Sequence, residues 1–599
     1  MSKQNTVSSA LKTVLKESSD FIIIGLTGRT GSGCSTCAKL LSGDKLPLPS
    51  PLDSHFKGNE ARKYKIVKKY IDKTWSKFEW LQVRCVLSRF VLELNYSEFC
   101  KLVSDIVKID RQEVKTKLED FRETYGEYYE KLEAFLGETE EDKKTHAYNI
   151  YFKMLPEFSQ KLKASLGNLS ISAYTTLYQK VGDNVRSSGR ADRAEFDPEK
   201  VFKFPKTINK VIKAARHKAT TESRPCYIVI DAIRNPYEAM YLRERYADFY
   251  LMSVNTSNEN RLKHLRESHK FSDQQITELD KKEYPKKLAG HNKFISQNIQ
   301  KCIENADIHI NNPRADNFES SELASQLAWY VSLMMHPGLI MPTSVENCMQ
   351  IAFSVKKSSG CISRQVGAAV TDEHYSIKSV GWNNTAQGQV PCILRSAEDL
   401  INGADKNAYS EYEKNDKNFR EKIEFKYIDV INDADKEGMN PSFCFKDIQN
   451  EIEGEKNQVH TRSLHAEENA FLQISKYGGQ KVKGGFLFTT ASPCELCAKK
   501  ASQLGISKIY FIDPYPGIAT THILKSGDNQ PDLELFRGAV GTAFHRLYQP
   551  IMPYKDELEM AYTLHKHENK KDSRIRQLES EVTKLKLELE NLKASQESR

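Results

Sequence analysis

The chain has no long hydrophobic run. No stretch approaches the roughly 18 apolar residues that a membrane-spanning helix requires, and the mean hydropathy is −0.59. Near the N-terminus, the apolar residues 21–26 are followed at once by Gly28, Gly31 and Gly33, which is typical of a buried strand and its turn and not of a secretory signal. We therefore expect a soluble, cytoplasmic protein that binds no membrane.

An excess of one charge sign and a disulfide framework are also missing. With 88 Lys and Arg against 80 Asp and Glu, the net charge is +8, which is compatible with phosphate-bearing ligands but does not by itself indicate nucleic-acid binding. The 12 cysteines are too few for a disulfide framework in 599 residues, and half of them fall within residues 348–497. That clustering favours metal chemistry in a reducing compartment.

Two short motifs in the second half carry the strongest chemical signal. A glutamate, Glu467, follows His465 by two positions, and a Pro-Cys-x-x-Cys motif at Pro493, Cys494 and Cys497 lies downstream. A catalytic zinc takes three protein ligands and leaves one position for water, and imidazole and thiolate both suit it. The pattern is the signature of zinc-dependent nucleobase deaminases. We predict Zn²⁺ at His465, Cys494 and Cys497, with Glu467 as the residue that transfers protons.

The predicted elements around these motifs support a shared site. Residues 485–490 are expected to form a buried strand and residues 495–504 a helix, which places both cysteines on one face of a first helical turn. The unpaired amides and the dipole of that turn favour thiolates. A second helical run, 466–474, begins directly after the histidine. The alternatives, a redox pair or a purely structural zinc, are disfavoured because a glutamate stands where a fourth ligand would be expected.

The N-terminal half contains a glycine-rich turn between an apolar strand and a helix. Gly28, Gly33 and Ser35 match the pattern G-x-x-x-x-G-K-[ST], but Cys34 stands where the lysine should be. Backbone amides could still bind phosphate, whereas efficient phosphoryl transfer is not expected; Arg29 could compensate in part. The alternative is a turn whose glycines merely allow a tight bend. The predicted nucleotide-binding residues are Gly28, Arg29, Gly31, Gly33, Cys34, Ser35, Thr36 and Asp231.

Further strands in this half predict a parallel α/β sheet. Residues 226–231 end in Asp231, which resembles the position that helps to hold Mg²⁺ in nucleotide-binding proteins, and strands are also expected at 249–254 and 306–312. The region 20–325 resembles P-loop nucleotide and nucleoside kinases. A helical insertion, about 55–205, interrupts it; we expect a solvated helix face there, or alternatively a phosphate- or RNA-binding surface.

A hairpin and an asparagine-rich loop precede the zinc motifs. Residues 361–370 and 377–380 are predicted strands, followed by Gly381-Trp382-Asn383-Asn384. Together with the zinc motifs, these segments resemble the deoxycytidylate deaminase family over roughly 340–550. The resemblance implies that Asn383 lies near the deoxyribose. Arg364 is a candidate phosphate-binding or fold-stabilising residue, or the member of a surface ion pair, and Tyr515 is a candidate base contact or a simple turn aromatic.

Some deoxycytidylate deaminases carry a second, structural zinc, and four residues here have suitable chemistry. These candidates are Cys361, Cys392, Cys444 and His460. Four ligands would suit a closed zinc site, and free buried cysteines are the alternative.

At about 150 residues per domain, 599 residues could hold roughly four units. We expect an α/β protein with a P-loop kinase-like parallel domain at 1–330 and a cytidine-deaminase-like αβα domain at 340–560. An insertion at about 396–459 is expected to be a lid or surface excursion over the pocket. Residues 568–599 are expected to form a short coiled-coil helix or a single amphipathic helix. Its apolar positions are Ile575, Leu578, Val582, Leu585, Leu589 and Leu592.

A degenerate P-loop domain fused to such a deaminase resembles the bacterial anti-phage dCTP deaminases. The resemblance implies zinc-dependent conversion of dCTP, dCMP or both to the deoxyuridine nucleotides, which depletes a pool that phage replication needs. We also expect a homo-oligomer, an inhibitory RNA and a nucleotide with Mg²⁺ at the turn. The alternatives are a polynucleotide cytidine deaminase, which would use the same metal chemistry, and a nucleotide- or RNA-gated switch.

Overall fold

The computed structural model describes residues 3–170, 172–268, 270–285, 288–314, 319–479, 481–513, 518–528, 530–562, 577–586 and 588. The protein is of the mixed α/β class. By compactness it divides into one unit of Asp20–Gln549 and a second that combines Met1–Ser19 with Pro550–Arg599. In the second unit the two helical segments pack together, and Ser8 Oγ donates a hydrogen bond to Ala561 O at 3.3 Å.

The elements are numbered in chain order. The strands are β1 (Phe21–Thr27), β2 (Glu79–Leu81), β3 (Cys226–Ile230), β4 (Phe249–Asn255), β5 (Ile308–Asn311), β6 (Gly367–Thr371), β7 (Ile377–Trp382), β8 (Asn384–Thr385), β9 (Ser463–Leu464), β10 (Phe486–Ala491), β11 (Lys508–Asp513), β12 (Asp532–Leu535) and β13 (Gly538–Ala539). The helices are α1 (Lys3–Ser19), α2 (Cys34–Leu41), α3 (Gly58–Thr74), α4 (Val83–Val91), α5 (Tyr96–Val107), α6 (Arg111–Lys117), α7 (Glu119–Gly137), α8 (Glu140–Asn149), α9 (Leu155–Gly167), α10 (Ala173–Ser188), α11 (Lys203–Thr221), α12 (Pro236–Arg243), α13 (Asn258–Glu267), α14 (Asp273–Glu283), α15 (Asn292–Ile295), α16 (Ile299–Glu304), α17 (Glu319–Met335), α18 (Ser344–Val355), α19 (Ala397–Asn402), α20 (Glu411–Asn415), α21 (Lys417–Glu437), α22 (Phe445–Glu453), α23 (Ala466–Tyr477), α24 (Glu495–Gln503), α25 (Gly541–Tyr548) and α26 (Tyr554–Ala561).

The first sheet has six strands in the order β13-β5-β4-β1-β3-β2. Strands β1 to β5 are mutually parallel, and residues 22–27 of β1 are all buried, as in a central strand covered on both faces. The predicted sheet was purely parallel, but β13 pairs antiparallel with β5, so the sheet is mixed. A two-residue strand from the other half of the chain leaves no periodic pattern in the sequence.

The helical insertion has a core of its own. Helices α4 to α10 contribute buried aromatic and aliphatic side chains, and at the centre the rings of Phe99 and Tyr125 stack at 4.7 Å. The Tyr125 hydroxyl is also hydrogen-bonded to the carbonyl oxygens of Val91 and Leu94. The segment is thus a packed helical layer, and the phosphate- or RNA-binding surface stays a prediction.

The second sheet carries the zinc motifs and has the order β12-β11-β10-β6-β7. The predicted hairpin is present as β6 and β7, β10 is antiparallel to β6, and β10 to β12 are parallel. Helix α23 packs on β7 at Gly381. A Cβ there would lie 2.3 Å from Ala466 O and 2.4 Å from Ala470 N. Only glycine therefore allows the helix that follows His465 to come this close to the sheet.

A third, two-stranded sheet joins the asparagine-rich loop to the histidine motif. Asn384 pairs with Leu464 and Thr385 pairs with Ser463. The loop after β7 is thereby fixed beside the residue that precedes His465.

The insertion at 396–459 folds around a small core. Phe419 and Phe443 are fully buried, and Arg395, also fully buried, forms an ion pair with Glu413 while lying 4.7 Å from the Phe443 ring centroid. The segment is therefore a helical subdomain, and its last helix, α22, leads back to β9.

The predicted C-terminal coiled coil is described only in part. Residues 577–586 are helical, with Leu578, Val582 and Leu585 exposed; Ile575, Leu589 and Leu592 lie outside the described residues. The coiled coil stays a prediction. Within the described residues, no helix combines the length and the apolar character needed to cross a bilayer.

The close approach at Gly381 can be tested by adding one methyl group. We expect Gly381→Ala to lower the free energy of unfolding by about 1–3 kcal/mol because the new Cβ meets backbone atoms that cannot move away. Thermal and urea unfolding measure the effect. Gly126→Ala in α7, where a Cβ meets no atom within 4 Å, is the control and should stabilise slightly. Equal effects of the two substitutions would contradict the packing argument.

Candidate active site

Three metal-ligating side chains meet at the N-termini of two helices. The ligand atoms of His465, Cys494 and Cys497 all lie within 4.8 Å of one another, and His465 Nδ1 is 3.2 Å from Cys494 Sγ and 3.4 Å from Cys497 Sγ. Tetrahedral zinc with usual bond lengths separates a nitrogen and a sulfur ligand by about 3.6 Å. The donor set and its spacing therefore fit a zinc ion.

Helix capping places these side chains. His465 is the N-cap of α23, and Glu468 forms a capping box with its backbone N–H. Cys494 is the N-cap of α24, and Cys497 lies in the first turn of that helix. Both helices direct their positive ends at the same point, which favours negatively charged sulfur there.

The two cysteine thiols and the His465 imidazole shift one another's pKa values. The pKa of the Cys494 thiol is lowered to about 3, chiefly because Cys497 donates a hydrogen bond to it, with His465 adding to the effect. The same hydrogen bond and burial raise the pKa of Cys497, so Cys494 is the first of the two to lose its proton. The contact with Cys494 also raises the pKa of His465.

Glu467 lies beside this cluster and is only 4% exposed. Burial raises the pKa of its carboxyl above the usual range, because the charged form loses hydration. The Thr489 hydroxyl in β10 is 3.3 Å from Glu467 Oε1. A buried acid with a raised pKa suits repeated proton transfer near neutral pH.

The cluster opens into a cavity of about 460 Å³. Arg364 and Asn383, two of the predicted substrate-binding residues, both line it. The side-chain amide of Asn383 fixes the segment that leads into β6, because its Nδ2 donates to Arg364 O at 2.6 Å and its Oδ1 accepts from Val366 N at 2.7 Å. Arg364 Nη2 lies 2.6 Å from Oδ2 of the buried Asp513. The partner of Arg364 is thus a buried acid rather than a surface one.

Several polar residues of the cavity were not predicted as site residues, and three of them come from outside the recognised motifs. Lys446, Gln458 and Thr461 also line it, and Lys446 Nζ is 3.4 Å from Gln458 Oε1. The first two belong to the insertion that was expected to act as a lid or surface excursion. No local pattern marks them, because only the fold of the insertion brings them back to the zinc motifs.

The second zinc site is not assembled. Among the described residues, the single group of three or more metal-ligating side chains is His465, Cys494 and Cys497. His460 instead lies 2.8 Å from Glu453, and Cys392 is buried beside Arg462. Cys361 lines the cavity, while Cys444 occupies the N-cap position of α22 and makes no side-chain capping hydrogen bond. Four potential ligands form a metal site only if the fold brings their ligand atoms close to one another. Tyr515, the remaining predicted site residue, lies outside the described residues.

The glycine-rich turn lines a separate cavity of about 240 Å³, which contains all of its predicted residues and Asp231. Burial raises the pKa of Cys34 to about 11, so the residue in the lysine position is a neutral thiol. Arg29 does not replace the missing lysine, because its Nη2 lies 2.7 Å from Asp280. The carboxylate of Asp231 accepts hydrogen bonds from Trp80 Nε1 at 3.1 Å and Val83 N at 2.9 Å. Because each carboxylate oxygen of Asp231 already accepts one of these hydrogen bonds, Asp231 is poorly placed to bind the predicted Mg²⁺.

Comparison with known proteins agrees with the zinc motifs. Residues 342–513 match the family described as the cytidine and deoxycytidylate deaminase zinc-binding region. The deoxycytidylate deaminase of Enterobacteria phage T4 is 29% identical over 169 residues, which are 28% of this chain and 76% of that protein. The enzyme of the same name from phage T2 is 27% identical over 168 residues, 28% and 78% of the respective chains. A crystal structure of the cyanophage S-TIM5 dCMP deaminase with dCMP and dUMP has 22% identity and a TM-score of 0.20, covering 32% of this chain and 95% of that one.

The ligand geometry predicts one zinc ion per chain. Elemental analysis of the purified protein should find one, and Cys494→Ala should lower the content severalfold because two ligands bind zinc far less tightly than three. Cys444→Ala is the matched control and should retain the ion. A content of two zinc ions per chain would contradict the single site.

Proposed function

We propose that this chain, whose C-terminal part is a domain of the cytidine and deoxycytidylate deaminase family, is a zinc-dependent deaminase of free deoxycytidine nucleotides. The observation that carries the proposal is the cluster of His465, Cys494 and Cys497 at a cavity that the buried Glu467 also lines. The products would be the deoxyuridine nucleotide and ammonia.

The residues at and beside the metal cluster have separate tasks in this reaction. Zinc held by the three ligands would supply a Lewis acid that lowers the pKa of water from about 15.7 towards 7. Glu467 holds a proton, delivers it to N3 of the cytosine ring and carries a second one to the departing ammonia. Thr489 keeps the Glu467 carboxyl in place. Asn383 holds the start of β6, and with it the backbone at Arg364.

Size and charge favour a free nucleotide over a polynucleotide. A cavity of about 460 Å³ falls within the roughly 300–1,000 Å³ typical of small-molecule sites, and Lys446 and Gln458 of the insertion line part of it. The cations Arg364 and Lys446 would bind substrate phosphate.

The substrate class can be tested by comparing ammonia release from dCTP, dCMP and single-stranded DNA. The comparison decides between a deaminase of free nucleotides and a deaminase of polynucleotides, and between a monophosphate and a triphosphate substrate.

The glycine-rich turn supports a second, regulatory part of the proposal. Its cavity, lined by backbone amides, Arg234 and Arg314, suits phosphate groups bound without transfer. The combination of this turn with a deaminase domain also underlies the proposal that the protein depletes deoxycytidine nucleotides in antiviral defence. The homo-oligomer and the inhibitory RNA stay predictions.

Glu467 provides the direct test of the chemistry. We expect Glu467→Ala to reduce ammonia release by at least about 10³-fold, because proton transfer contributes roughly 10²–10⁴ in rate and this residue performs it twice. Zinc content should remain at the wild-type value, since the carboxylate is not needed as a ligand. Glu495→Ala, at a half-buried acid that also lines the cavity, is the control. A Glu467→Ala protein that still turns over at the wild-type rate would overturn the assignment.

Arg364 tests the substrate class. We expect Arg364→Met to raise KM for the preferred deoxycytidine nucleotide about tenfold or more, because a charge-assisted contact to phosphate is lost. KM for the nucleoside deoxycytidine, which has no phosphate, should change little. Arg266→Met, at an exposed ion pair with Asp273, controls for loss of a surface arginine. An equal loss on nucleotide and nucleoside would show that Arg364 acts only through the fold.

A further inference from the structure

An internal carboxylate lies on the glycine-rich turn. Glu283, the last residue of α14, is fully buried, and its two oxygens accept from Thr30 N at 3.0 and 3.2 Å and from the Thr30 hydroxyl. Arg234 Nη1 is 2.6 Å from Glu283 Oε1, and Arg234 Nη2 donates to Thr30 Oγ1 at 3.1 Å. A backbone amide and a guanidinium are groups that bind phosphate. On this side of the turn, the amide of Thr30 and the guanidinium of Arg234 bind the carboxylate of Glu283, which belongs to the protein itself.

The rest of the turn is open to acceptors. The N–H groups of Cys34, Ser35 and Thr36 begin α2 and have no partner within the helix, and no side chain caps it. Thr27 lines the same cavity and is 1% exposed, and its hydroxyl lies beside the thiol of the buried Cys302. The cavity of about 240 Å³ is smaller than the roughly 300 Å³ at which sites for whole small molecules begin. It therefore suits the phosphate groups of a ligand.

A second buried carboxylate holds the arginine of the deaminase cavity. Asp513 ends β11 and is fully buried; its Oδ2 lies 2.6 Å from Arg364 Nη2 and accepts from Gln300 Nε2 at 3.1 Å. Gln300 belongs to α16, which packs beside the first sheet. The direction of Arg364 thus depends on a side chain from the half of the chain that contains the glycine-rich turn.

Arg234 connects these two sets of contacts. Its carbonyl oxygen accepts from Asn298 N at 2.9 Å, and its Nη1 donates to Gln297 Oε1 at 3.3 Å. Asn298 in turn caps α16 by accepting from Lys301 N at 2.9 Å. The residue that binds Glu283 at the turn therefore also fixes the start of the helix that carries Gln300.

We propose that these contacts couple the turn to the deaminase cavity. Phosphate groups bound at the turn compete with Glu283 for Thr30 and Arg234, and the change at Arg234 shifts α16, so that Gln300 releases Asp513 and Arg364 loses its fixed position. The ligand is a nucleoside di- or triphosphate, recognised by its phosphates. Its binding weakens the hold on substrate phosphate, so KM rises while kcat is unchanged. The KM part rests on the proposed function, whereas the movement itself does not.

Hydrogen exchange tests the movement without any assay of deamination. Inorganic pyrophosphate, as the probe, should increase amide exchange in residues 360–366 of the full-length wild-type protein. Gly33→Ala should abolish the response, because φ at this position is +113° and a Cβ would lie 2.1 Å from Asn312 Nδ2. Gly126→Ala is the matched control and should respond like the wild type.

Three results would overturn the coupling. The first is that pyrophosphate does not change amide exchange in residues 360–366 of the wild type. The second is that the increase in exchange persists in Gly33→Ala, which would indicate direct binding at Arg364. The third is that the increase is lost in Gly126→Ala. Should Gly33→Ala fail to fold, Glu283→Gln gives an independent reading. Removal of the competing charge should lower the pyrophosphate concentration for half-maximal exchange about three- to tenfold, and an unchanged or higher concentration contradicts the competition.

A double-mutant cycle on steady-state kinetics tests the route. Glu283→Gln and Gln300→Leu should each raise KM for the deoxycytidine nucleotide about three- to tenfold with kcat within twofold of wild type. The double variant should have a KM no higher than the worse single one, because both changes interrupt the same chain of contacts. Gln112→Leu, at an exposed position, is the control.

If KM of the double variant rises by the product of the two single effects, Glu283 and Gln300 do not act through the same chain of contacts. If kcat falls and KM does not change, neither residue positions Arg364. If the wild-type protein deaminates no nucleotide, the proposed function fails, and the exchange experiment still decides whether the turn and Arg364 are coupled.

Discussion

Two helices begin at the same point in space, and the candidate active site depends on that convergence. Helix α23 starts at His465 and helix α24 at Cys494, so an imidazole and two sulfurs meet where two sets of unpaired amides point. The positive ends of the helices offset the cost of gathering negative sulfur in a buried place. Gly381 permits the first of these helices to approach its sheet, and β10 delivers the cysteines beside it.

The same arrangement explains how Glu467 differs from an ordinary surface acid. It lies in the first turn of α23, where a helix N-terminus favours the carboxylate, yet burial dominates and raises its pKa. A residue held between these opposing effects can both accept and return a proton. Packing of the helix on the sheet, rather than the identity of its neighbours in sequence, sets that balance.

The two halves of the chain share structural elements. Strand β13, which follows the second sheet in the chain, completes the first sheet by pairing with β5. Glu346 of α18 accepts hydrogen bonds from the Tyr330 and Tyr548 hydroxyls. The Gln300–Asp513–Arg364 contacts follow the same pattern. An interface built of buried hydrogen bonds and a continuous sheet transmits small shifts better than a loose linker would, because its parts cannot move independently.

The sequence by itself determined that His465, Cys494 and Cys497 are candidate metal ligands beside Glu467, and it determined the strands β1, β3, β4 and β5 and the hairpin β6–β7. These follow from local signals, namely a metal motif with short spacing and apolar runs bounded by turn residues. Only the tertiary structure decided that Cys361, Cys392, Cys444 and His460 do not meet, that Lys446 and Gln458 do reach the cavity, and that Glu283 lies on the glycine-rich turn. Each of these depends on contacts between residues far apart in the chain, and no local pattern records where a folded chain will bring two distant side chains together.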